Sequence, residues 1–152
     1  MSTENRVSQN TAIMIERARR KGITDDQLLH AARTGDVSEL IAINEEWYTF
    51  DDFVSYANEH DEPLAQAIAV GYRMTFNTNN GLSVWLQERF GLQEGEHYTK
   101  EMGRISGLKL SMEDIKSLRS SLALNWTVVD EGEAADGLNI VTLAVRALLA
   151  QS

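Results

Sequence analysis

The period of the apolar residues changes at Gly71. Before it, apolar side chains recur at helical spacing: Ala12, Ile13, Ile15 and Ala18 in one run, Leu28, Leu29, Ala31 and Ala32 in the next, then Val37, Leu40, Ile41, Ile43 and Trp47. A stripe of that period is buried only if the chain coils as a helix. After it, Tyr72, Met74 and Phe76 alternate with Arg73, Thr75 and Asn77, the pattern of a half-buried strand. The chain is therefore expected to be α+β and predominantly helical, with an N-terminal multi-helix half packed with a C-terminal half of a small, mainly antiparallel sheet plus helices.

Local punctuation sets the boundaries. Arg17, Arg19, Arg20 and Lys21 ahead of Gly22 suit the C-terminus of a helix from about Asn10 to Lys21. Thr24 with Gln27 reads as a capping box opening a second helix, which Gly35 stops. A third is expected over Val37 to Trp47, a fourth after Thr49 with Asp52 at the capping-box position, and a fifth from Pro63 to about Val70. Beyond the break at Asn77 to Gly81, a helix through Leu82 and Phe90 ends at Gly91, and strands at Tyr98 to Met102 and Arg104 to Leu110 form a hairpin about Gly103. Ser111 with Asp114 opens a helix carrying Met112, Ile115, Leu118, Leu122 and Leu124 inward. Trp126 to Val129 reads as a strand, Asp130 to Asp136 as an acidic loop, and the remainder as a helix ending near Leu149.

With 152 residues, 43% of them hydrophobic, the chain is long enough to bury a core of its own. One compact domain is expected over residues 9–152, preceded by a flexible stretch at 1–8, with Gly71 a natural boundary between subdomains 9–70 and 71–152. The absence of cysteine excludes disulfides, thiolate metal sites and cysteine nucleophiles together. It fits a reducing compartment. The polar stretch Met1 to Asn10 does not read as a secretion signal, and no apolar run approaches the roughly 20 residues a membrane-spanning helix requires. A cytoplasmic chain without membrane attachment is expected.

The stretch Ile15 to Asn44 resembles the first three helices of Cro-type helix-turn-helix repressors over about a fifth of the chain: a basic first helix, a Gly-Ile-Thr start, a glycine turn, then Val37-Ser38 and a periodic helix. The resemblance implies a DNA-binding regulator. Two features depart from it. The second helix and turn are long, and the would-be recognition helix offers Asp36, Glu39, Glu45 and Glu46 where base and phosphate contacts call for Arg, Lys, Asn or Gln. Leu28 to Ile43 is also similar to the helix-turn-helix of one ankyrin repeat, with an echo at Pro63 to Gly71; a stacked array needs about three copies.

No catalytic or cofactor motif appears. There is no Gly-x-Ser-x-Gly elbow, and Gly103 to Gly107 lacks the Lys-Ser/Thr of a phosphate loop, reading instead as a turn and strand kink. Glu59-His60-Asp61-Glu62 sets adjacent residues in diverging directions, and His30, His60 and His97 lie far apart, so no metal site is expected. An enzyme would need a site formed only in three dimensions, such as a pocket collecting His97 or His30 with two carboxylates. In the second half, basic and acidic residues are mixed, as on an ordinary surface.

Charge is the strongest functional signal. Nine carboxylates and no Lys or Arg lie between Asp36 and Ala65, a deficit equal to the whole net charge of −9. Such a chain disfavours nucleic acid and attracts basic surfaces. The sequence therefore points to a non-enzymatic regulatory or inhibitory protein binding a basic macromolecular partner. The residues expected to meet that partner are Asp36, Glu39, Glu45, Glu46, Tyr48, Asp51, Asp52, Tyr56, Glu59, Asp61 and Glu62, with an exposed aromatic as the buried anchor. No cofactor is implied.

Overall fold

The computed structural model, which describes residues 5–45 and 49–149, has an α+β fold; most helix-period segments before Gly71 coil as expected, whereas the alternating run Tyr72 to Phe76 is strand only at Arg73–Met74 and leaves Phe76 60% exposed. The chain divides into two compact units, Met1–Thr75 and Phe76–Ser152.

The first unit is built around α1 (Gln9–Arg20), in which every residue from Thr11 to Ala18 is buried. Ser8 caps it, its hydroxyl accepting the Thr11 N–H at 3.1 Å. A short strand β1 (Arg6–Val7) precedes it, and Val7 is fully buried. The flexible lead expected over residues 1–8 thus does not include residues 5–8: Asn5 and Val7 carbonyls accept the N–H groups of Arg73 and Thr75, tying the start of the chain to β2 (Arg73–Met74) in parallel register.

Helix α2 (Asp25–Thr34) has both bonds of the Thr24–Gln27 capping box, and Gly35 closes it with φ +81°. The third helix is shorter than expected. Instead of reaching Trp47, α3 (Ser38–Ile41) is one turn, because the Asn44 side chain binds downstream partners, accepting the Phe50 N–H at 2.7 Å and donating to the Asp51 carboxylate at 2.9 Å. The Thr49 capping box does not form either; α4 (Phe53–Glu59) starts later, with Asp52 at its N-cap and no side-chain capping bond. Helix α5 (Leu64–Val70) follows Pro63 and ends at Gly71.

In the second unit, Thr78 caps α6 (Asn79–Phe90), which Gly91 ends. Strands β3 (Thr99–Glu101) and β4 (Arg104–Leu110) make the hairpin about Gly103, and Ser111 caps α7 (Met112–Ser121). Three expectations fail here. Met112 and Leu124 are 62% and 48% exposed rather than inward. The acidic loop from Asp130 is largely the continuation of β5 (Trp126–Glu133), and most of the expected last helix is β6 (Asn139–Val145), with only α8 (Arg146–Leu149) helical. The sheet order is β3-β4-β6-β5, all antiparallel. β6 is the strand with partners on both edges, and its residues Val141 to Ala144 are buried as a continuous run, as in a strand covered on both faces; by period alone such a run cannot be told from a helix. Asn77 fastens this unit: its side chain accepts the Ala123 N–H, and its carbonyl accepts the side-chain N–H groups of Asn125 and Trp126.

Two charges inside the first unit are matched. The buried Glu16 carboxylate accepts the Tyr72 hydroxyl at 2.6 Å and the Arg19 guanidinium at 3.0 Å. Arg19 also reaches Asp25 and the Ile68 carbonyl. Burial alone would lower the Arg19 pKa, but Glu16 and Asp25 outweigh it and hold the group above its ordinary value. Tyr72→Phe takes one donor from a buried carboxylate and is expected to cost about 1–3 kcal/mol; urea unfolding followed through amide signals of residues 5–45 measures it.

Candidate functional site

The central carboxylates do not act as one group. Glu45 is held by Arg17 and Lys21 from the last turn of α1, in an ion pair that is half in solvent on the carboxylate side and buried on the Arg17 side. The Lys21 hydrogen bond and, against some desolvation, the Arg17 charge keep Glu45 below the usual carboxylate range. Glu62 turns to the other end of the same helix, accepting the Ser8 N–H at 2.5 Å and the Thr11 hydroxyl at 2.6 Å, where an anion suits the helix dipole. Asp36 folds back on the Ser38 N–H at 3.0 Å, which lowers its pKa, and lies 3.9 Å from His30. Asp51 accepts from Asn44. Glu45 and Glu62 are thus engaged inside the unit; Glu46 and Tyr48, with Trp47, lie outside the described residues.

Asp36, Glu45 and Asp51 stay exposed despite these partners, and Glu39, Asp52, Glu59 and Asp61 are exposed with no side-chain partner among the described residues. Asp52 and Glu59 stand seven residues apart at the two ends of α4, and positions i, i+4 and i+7 of a helix share a side, so Tyr56 lies between them on one face. Tyr56 is half-buried and stacks on His60, ring centroids 4.1 Å apart, while the His60 Nδ1 lies 2.8 Å from the Tyr56 carbonyl. Phe50, an aromatic of the same acidic segment, is fully buried.

Beside this face is a partly open cavity of about 270 Å³. Asn10, Thr11 and Met14 from the first half of α1 form one wall; Thr49 and Asp52, with Phe53 and Tyr56 of α4, form the other. Thr11, Met14 and Phe53 are buried and make the floor, whereas Asn10, Thr49 and Asp52 are exposed at the rim. Sequence reasoning named Asp52 and Tyr56 but missed the α1 contribution, because nothing local marks Asn10 or Met14 as neighbours of a helix some forty residues away.

The histidines do not gather. His97 Nδ1 accepts the Gln93 N–H within its own turn, and His30 sits by Asp36. Among the described residues, no three of His, Asp and Glu form a group able to hold a metal ion, and no helix is long and apolar enough to cross a membrane.

A carboxylate whose pKa is lowered on folding adds stability above its ordinary value, here 4.5, and that contribution fades as pH falls toward the lowered value. Glu45→Gln should therefore flatten the stability profile on the acid side of the ordinary carboxylate value of 4.5, and should weaken the unit at neutral pH by removing the carboxylate that Arg17 and Lys21 share; urea midpoints measured from neutral pH downward check both. No family model, no curated protein and no solved structure matches the chain, so its function has to be read from these side chains alone.

Proposed function

We propose that the chain is a non-enzymatic regulatory or inhibitory protein of the cytoplasm that binds a basic protein partner through the solvent face of α4. The observation that carries this reading is the placement of Asp52, Tyr56 and Glu59 along one side of that helix: two carboxylates about 10 Å apart along the axis with an aromatic ring between them. Carboxylates supply long-range attraction to a basic surface, and a half-buried ring gives contact area at low entropic cost. Exposed Asp61, just beyond the helix, adds to the field. The net charge of −9 opposes a phosphate backbone as an alternative partner. A DNA-binding reading gains no support from α3, since four residues are too few to lie along a groove. Absence of cysteine agrees with a reducing compartment.

The test is capture of partners by tagged protein with crosslinking and mass spectrometry, comparing wild type with Asp52→Lys/Glu59→Lys and with Glu39→Lys as a control away from α4. The double reversal should lower affinity for a basic partner at least about tenfold and reduce its salt dependence, with the control unchanged. Equal capture by wild type and the double variant would remove the reading. Glu45 is left intact in this design because its loss disturbs Arg17.

A further inference from the structure

The cavity between α1 and α4 has the shape and lining of a socket for one long cationic side chain. We infer that it receives an arginine side chain from the basic partner, an inference that rests on the docking face proposed for α4. The volume of about 270 Å³ falls below the roughly 300–1,000 Å³ of pockets that enclose drug-sized molecules or cofactors. It suits a single side chain. The floor of Met14 and Phe53 offers apolar contact to a run of methylenes, as long basic side chains require.

The rim then decides the head group. Asp52 makes no ion pair among the described residues, and its carboxylate can take two parallel N–H donors from a planar guanidinium. Asn10 on the α1 wall and Thr49 beside Asp52 provide further oxygen acceptors, more than a compact ammonium uses but matched to the five donors of arginine. Tyr56 presents a ring to the same space, with His60 stacked on it, and a guanidinium packs on such a ring. Thr11 is already engaged, its hydroxyl donating to Glu62 and accepting from Ser8, so it shapes the wall without competing for the ligand.

The probe is Nα-acetyl-L-arginine methylamide, titrated into the full chain while amide chemical shifts are recorded. Saturable shifts are expected at Thr11, Thr49, Asp52, Phe53 and Tyr56. The citrulline analogue, equal in shape but uncharged, should produce none, and the lysine analogue should bind several-fold more weakly. Asp52→Asn should weaken arginine binding about tenfold or more, and Tyr56→Leu, which keeps bulk but removes the ring, about twofold to fivefold, each with an otherwise unchanged spectrum.

Shifts that map elsewhere, that never saturate, or that citrulline or lysine reproduces equally would overturn the socket. That failure is separable from failure of the docking face. Capture of a basic partner that still depends on Asp52 and Glu59 would leave the face standing while the arginine is lost; capture indifferent to both would remove the face.

Discussion

A helix whose residues from Thr11 to Ala18 are all buried leaves most of its charged and polar side chains to be answered by other segments, and α1 is such a helix. An unpaired charge inside a protein costs several kcal/mol, so Glu16, Arg17 and Thr11 fix where other segments can go. Tyr72 is drawn to Glu16, Glu45 to Arg17, and Glu62 to Thr11 and the Ser8 N–H. These are contacts of long sequence separation. They bind the strand after α5, the segment after α3 and the turn after α4 to one central rod, and they explain why a unit with only short helices around α1 holds a defined arrangement.

The same requirement redistributes the negative charge. Read along the chain, nine carboxylates form one acidic block; in the fold, Glu45 and Glu62 are spent on the two ends of α1, and Asp36 and Asp51 on nearby hydrogen bonds. What is left without a side-chain partner among the described residues is a smaller set, Glu39, Asp52, Glu59 and Asp61. On the reading proposed above, the attraction is a local matter of α4, where Asp52 and Glu59 flank Tyr56.

Legibility from sequence followed the range of the interaction. Caps and stops that depend on residues three or four apart were readable: Thr24 with Gln27, Gly35, Gly91, Gly103 and Ser111 all act where the sequence places them. Elements decided by distant partners were not. Val7 is a strand residue only because Arg73 and Met74 arrive beside it, and β6 extends because β4 and β5 bond to both its edges. The apolar run after Asn139 suits either helix or strand, and tertiary pairing chose. For the site, Asp52 and Tyr56 were visible as an acid and an aromatic in one segment, but Asn10, Thr49 and Met14 carry no mark of their role until α1 and α4 pack together.

That packing also bears on how a cavity of this size can discriminate. Its floor side chains, Met14 and Phe53, belong to helices and are already immobilised by burial, so an incoming side chain orders little besides itself. The polar rim is mounted differently. Asn10 is in the first turn of α1, Asp52 at the N-cap of α4 and Thr49 on the connecting chain, all exposed and able to adjust to a planar head group. A rigid apolar base with an adaptable polar mouth favours a ligand whose stem is long and whose charge lies at its tip, because the stem gains contact without distortion and the tip keeps water on its open side. A short acid or a bulky ring would forfeit one half of that arrangement.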